Sequence, residues 1–125
     1  MEHSMAKVVL WVALGGAAGS VVRFLFSVWI KPSGGFPWPT LAVNILGCFA
    51  IGLVYGFTSR HASEQMRLVL ATGFCGGFTT FSAFGYENLT LIQSQQYALA
   101  SAYVAASIVG GMAAVWLGNS LADKW

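Results

Sequence analysis

Four apolar stretches alternate with short segments rich in charge and turn formers, at about 5–29, 40–59, 66–94 and 97–121. A membrane-crossing helix needs roughly 20 predominantly apolar residues, so the pattern predicts four transmembrane helices in one domain over residues 1–125. The first connection, 31–39, holds Pro32, Gly34, Gly35, Pro37 and Pro39 and reverses the chain. The second, 60–67, is the most polar loop, with His61 expected in solvent, and the third is Gln93-Ser94-Gln95-Gln96. Trp29, Phe36 and Trp38 flank the first reversal and suit a membrane–water interface.

Small residues add a second pattern. Gly15 with Gly19 and Gly52 with Gly56 have the spacing that lets membrane helices approach closely, and Ala102, Ala106, Gly110, Ala114 and Gly118 predict a flat packing face on the last span. The third span is different. Between Gly73 and Glu87 it crowds four glycines, three Thr/Ser hydroxyls and five aromatic rings into fifteen positions. Glycine costs about 1 kcal/mol relative to alanine inside a helix, so a break is expected at 76–80. Within hydrocarbon, a break survives only where the freed backbone groups find partners.

Composition narrows the class. With 57% hydrophobic and 8% charged residues, the chain is far from a soluble domain, where about a quarter are charged. The six basic residues are scattered singly, so no patch for nucleic acid forms. Cys48 and Cys75 lie inside apolar spans without metal-ligand or disulfide spacing and are expected as buried thiols. The N-terminus lacks a cleavage pattern, so the first helix is expected to be retained. There is no GxxxxGK[ST] loop to bind nucleotide, and no acid/base or nucleophile set that suggests an enzyme.

A few polar side chains inside the spans are candidates for chemistry. Arg23 lies about two turns before the end of span one, where it either snorkels, pairs structurally or draws anions toward a vestibule. Asn44, one turn after Thr40 on the same face, is either interhelical glue or a pore-lining donor. Glu87 needs an aqueous vestibule or a donor, because an acid at a helix centre costs roughly 2.5–3.5 kcal/mol on insertion scales. Tyr103 and Ser107 place two hydroxyls on one face of the last span.

The run Gly76-Gly77-Phe78-Thr79-Thr80-Phe81-Ser82-Ala83-Phe84, with Arg23 late in span one and Thr40-Leu41-Ala42-Val43-Asn44 opening span two, resembles the Fluc (CrcB) family of fluoride ion channels. The likeness covers essentially the whole chain. It implies an all-α integral membrane fold in which two inverted four-helix subunits form a dual-topology homodimer with two fluoride pathways at the interface. It also implies a structural Na+ ion at the centre, held by the backbone carbonyls of Gly76 and Thr79 of each subunit. Phe81 and Phe84 match the family's pore phenylalanines, Asn44 its pore asparagine, and Tyr103 and Ser107 its span-four hydroxyls. Thr40, Thr80 and Ser82 supply further hydroxyl donors, and the positive ring edges of Phe81 and Phe84 can meet an anion.

The chain departs from the family pattern at Ala83, Gly85 and Gly111, where threonine, serine and serine are common, so its polar track is sparser. The function this implies is passive efflux of cytoplasmic fluoride across the bacterial inner membrane, giving fluoride resistance, with fluoride and membrane lipid as partners. Two alternatives stay open: a proton-coupled small-anion transporter with Glu87 as coupling acid, and a non-transporting membrane assembly subunit. Lys7, Arg60, Arg67 and Lys124 fall toward one side, with Lys31, and Arg23 if it snorkels, toward the other, so the positive-inside rule places both termini in the cytoplasm.

Overall fold

The computed structural model describes residues 4–61 and 64–123, with the side chain of His61 outside that set. Lys124 of the charge pattern and Ala62-Ser63 of the polar loop also lie outside the described residues. Four helical segments are long and apolar enough to cross a membrane. The first is α1 (Met5–Trp29), opened by Ser4, whose hydroxyl accepts the Lys7 N–H at 3.3 Å. It ends where Ile30 turns extended ahead of Lys31-Pro32, because a residue before proline is disfavoured in helix. Gly34 and Gly35 take φ of 63° and 79° in the reversal, a left-handed region open to glycine at little cost.

The second span, α2 (Trp38–His61), carries Pro39 in its first turn, where the missing N–H has no helical acceptor to leave empty. Phe36 packs against Trp38, with ring centroids 4.5 Å apart, but is not exposed as the tryptophans are. It folds inward to 8% exposure and packs edge-on against Tyr103, with ring centroids 5.5 Å apart. The left-handed glycines turn the chain back sharply enough to bury it, while Trp29 and Trp38 stay exposed.

The third span is composite: α3 (Glu64–Arg67), a π-helical stretch (Leu68–Cys75), α4 (Gly76–Phe78) and, after two non-helical residues, α5 (Phe81–Gln93). The last span, α6 (Tyr97–Ala122), follows a turn in which Gln95 adopts φ 60°.

Two helix pairs build the body. In one, a Cβ on Gly52 would strike the Val115 carbonyl of α6, and a Cβ on Gly118 would strike the Phe49 carbonyl of α2. In the other, a Cβ on Gly15 would press on the Val69 carbonyl at 2.5 Å, and one on Gly19 would strike that of Phe74. Backbones this close leave no room for a side chain. The flat face of α6 holds from Ala106 through Gly110 and Ala114 to Gly118, all at least half-buried, but Ala102 is exposed and toward the N-terminus the buried line passes through Ala100 and Tyr103 instead. There Ala100 and Tyr103 join Phe36 and Leu91 in one hydrophobic cluster.

Candidate functional site

The break in the third span is narrower than the glycine count suggests. Gly76–Phe78 remain helical, and only Thr79 (φ −85°, ψ 158°) and Thr80 (φ −149°, ψ 119°) are extended. The glycines serve close approach instead: a Cβ on Gly77 would collide with the Gly16 carbonyl, and one on Gly73 would meet that of Val12 at 3.0 Å. Gly47 of α2 likewise makes way for the Thr79 side chain.

The extended pair is held from three sides. Asn44 grips Thr80 twice, its Oδ1 accepting the Thr80 N–H at 2.8 Å and its Nδ2 donating to the Thr80 carbonyl at 3.1 Å. The Thr80 hydroxyl caps α5 by accepting the Ala83 N–H at 3.2 Å, and lies 3.2 Å from the Ser82 hydroxyl. From α1, Arg23 Nε donates to the Gly77 carbonyl at 3.1 Å, with the Ser20 hydroxyl 3.5 Å from the same oxygen. Arg23 is thus drawn inward to the break rather than outward to the headgroups.

These bonds decide which carbonyls go without helical partners. A continuing helix would satisfy Gly76 with the Thr80 N–H and Thr79 with the Ala83 N–H. Both donors are diverted, to Asn44 and to the Thr80 hydroxyl. The Gly76 and Thr79 carbonyls, like that of Gly77, therefore lose the donors that a continuous helix would give them. Gly76, Thr79, Asn44 and Phe81 line an open groove of about 300 Å³ between α2 and the third span.

Phe81 stands 81% exposed just past the break. Phe84, half-buried, packs between Phe81 and Tyr103 at centroid distances of 5.6 and 5.0 Å. Asn44, Phe81, Phe84 and Ser107 line a cavity of about 180 Å³. The Ser107 hydroxyl is buried there and has no hydrogen-bond partner.

Glu87 is paired inside the bundle. Its two carboxylate oxygens accept the Thr40 hydroxyl at 2.8 Å and the Tyr103 hydroxyl at 2.7 Å. Arg23, Thr40, Thr80, Ala83 and Glu87 line a third cavity, of about 230 Å³. A threonine at position 83 would add a hydroxyl to that cavity. A side chain at Gly111 would meet Cys48 Sγ at 3.4 Å, and one at Gly85 would meet nothing within 4 Å.

Sequence reasoning missed two residues at this centre. Ser20 is visible in hindsight as a hydroxyl three positions before Arg23, on the same helix face. Asn88, beside Glu87, donates to the Phe84 carbonyl at 2.9 Å and leaves its own Oδ1 buried without a partner.

The sequence profile of the family described as "CrcB-like protein, Camphor Resistance (CrcB)" matches residues 10–119. A protein of Prosthecochloris aestuarii named "Fluoride-specific ion channel FluC" is 45% identical over 120 residues, covering 94% of each chain. Proteins of the same name from Phocaeicola vulgatus and Leptospira interrogans are 48% and 43% identical, over 90% and 91% of this chain and 95% and 96% of theirs. With an all-helical fold, four helices able to cross a membrane and likeness along nearly its whole length, this multi-pass membrane protein belongs to the CrcB family, a family of channels and not of enzymes.

Proposed function

We propose that the chain is one subunit of a fluoride-selective channel that lets cytoplasmic fluoride leave the cell passively, and so confers fluoride resistance. The observation that carries this reading is the partnerless Ser107 hydroxyl, buried in a cavity shared with Asn44 and the rings of Phe81 and Phe84. A buried donor without a protein acceptor calls for an acceptor from outside the chain, and water or a bound anion supplies one. Fluoride is a small, strongly hydrated anion, and hydroxyl and amide donors replace its water while the ring edges present positive charge. Relatives spanning the same length and named fluoride-specific channels support the choice of anion.

The full channel is an inverted homodimer in a bacterial inner membrane. An 81% exposed Phe81 beside an open groove with two released carbonyls is the face a second copy covers. At that face the Gly76 and Thr79 carbonyls of both subunits fit a structural Na+ ion, because a hard cation takes oxygen ligands and carbonyls freed at a helix break supply them. The ion would hold the two breaks together. Proton coupling through Glu87 has less to support it, since both carboxylate oxygens are already engaged by hydroxyls of the bundle, those of Thr40 and Tyr103.

The test is efflux from liposomes containing the purified protein and potassium fluoride, with valinomycin carrying the compensating potassium. Fast fluoride loss, little chloride loss and no requirement for a proton gradient are expected. Flux that needs a proton gradient would move the reading to a transporter; no flux from a well-folded dimer would leave an assembly subunit.

A further inference from the structure

We infer that Arg23 is a positioning residue for the helix break, acting through the Gly77 carbonyl and not on the permeating anion. The role rests on the sodium site proposed above, because Gly77 lies between the two residues whose carbonyls form it.

The argument begins with a backbone group that has lost its partner. In a continuous helix the Gly77 carbonyl would accept the Phe81 N–H. Thr79 and Thr80 are extended, so that donor belongs to the start of α5. A carbonyl stranded in hydrocarbon must be satisfied by other protein groups. Arg23 Nε does so at 3.1 Å, supported by the Ser20 hydroxyl at 3.5 Å. The bond is charge-assisted, and the guanidinium sits at the C-terminal end of α4, the end of a helical run where positive charge is favoured.

The placement is rigid. Gly77 abuts the Gly16 carbonyl, and Gly19 abuts that of Phe74, so α1 cannot slide or turn without lifting Arg23 from its acceptor. Gly76 and Thr79 flank the anchored residue at one and two positions. Fixing Gly77 therefore fixes the direction in which both released carbonyls point. An anion-steering role fits the surroundings less well, because Arg23 shares its cavity with the Glu87 carboxylate, whose charge opposes its own.

The test compares wild type, Arg23→Lys, Arg23→Gln and Ser20→Ala, purified without sodium in N-methylglucamine buffer, by following the melting temperature as Na+ is added. Fluoride efflux is measured in parallel at two ionic strengths. Arg23→Gln is expected to raise the Na+ concentration for half-maximal stabilisation about tenfold, with Arg23→Lys recovering most of the loss, as one charge-assisted hydrogen bond implies. Unchanged Na+ half-saturation, with fluoride flux that falls and loses its ionic-strength dependence, would overturn the inference and make Arg23 an anion-steering residue. If Arg23→Gln yields no folded protein, Ser20→Ala decides: a shift of about threefold supports the role, as loss of one neutral hydrogen bond implies, and no shift overturns it. A wild-type protein that does not respond to Na+ at all overturns the sodium reading itself, and this role with it, before any variant is compared.

Discussion

The pairing of α2 with α6 and the pairing of α1 with the third span use the same device and reach different results. In both, glycines bring backbones together until a Cβ would strike a carbonyl, as at Gly52 and Gly118 in the first pair and at Gly19 and Gly77 in the second. Yet α2 and α6 run unbroken for 24 and 26 residues, while the third span opens at Thr79-Thr80. Glycine content therefore does not explain the opening. What distinguishes the third span is a set of polar side chains around it, Asn44 from α2, Arg23 and Ser20 from α1 and the Thr80 hydroxyl of its own, that offers backbone groups at the break better partners than the helix would. Close packing is a property of small residues; interruption is a property of competing hydrogen bonds.

The harshest way to break this comparison is to put side chains where the backbones meet. Gly77→Ala and Gly118→Ala are each expected to destabilise the protein by about 1–3 kcal/mol or more, since the obstructing atoms are carbonyls of a neighbouring helix. Gly76→Ala is the contrast: the nearest atom to its Cβ is 3.8 Å away, and a monomeric subunit should gain about 0.5–1 kcal/mol. Melting of the three variants in detergent checks the ranking. Equal losses at Gly76 and Gly77 would mean that glycine is needed for backbone freedom after all.

Asn44→Ala comes next. It strips partners from the N–H and C=O of Thr80, and about 2–4 kcal/mol of stability is expected to go with them. Asn44→Asp keeps the acceptor and loses the donor, so its stability should fall between alanine and wild type. Hydrogen exchange at Thr80 is the direct readout, and unaltered protection in Asn44→Ala would remove the clamp from the account.

Ser107→Ala sharpens the distinction between holding and conducting. Its hydroxyl has no protein partner to lose, so stability should not fall, and removal of an unsatisfied buried donor should raise it by up to about 1–3 kcal/mol. Fluoride efflux, on the proposed reading, should fall about tenfold, as loss of one hydrogen bond of about 1.5 kcal/mol to a charged ion implies. A stable variant with full flux would take Ser107 out of the pathway. The smallest effect is at the turn before α6, where Gln95 holds φ 60°. Gln95→Gly is expected to stabilise by about 0.5–1 kcal/mol by relieving a left-handed non-glycine residue, with no effect on flux.

Much of this was legible in the sequence. Four long apolar stretches and their separators report on the solvent around each segment, and that information is local. The polar residues of the site were also conspicuous, because Arg23, Asn44 and Glu87 are costly in an apolar span and stand out against it. Their partners were not. Nothing local shows that Asn44 reaches Thr80, 36 residues away, or that Arg23 reaches Gly77 across 54. The π-helical turn at Leu68–Cys75 was invisible too, since it changes hydrogen-bond register without changing hydrophobic pattern.

By itself, then, the sequence determined that the chain crosses a membrane in four helices, which of its helices pack closely, and which polar residues the fold must satisfy. Those properties follow from each segment's own transfer free energy and side-chain size. The tertiary structure decided where the third span opens, which backbone donors are diverted there, and that Phe36 and Glu87 turn inward to partners on other spans. Such outcomes depend on competition between hydrogen-bond partners brought together only by packing. That competition is settled in space, between groups far apart along the chain.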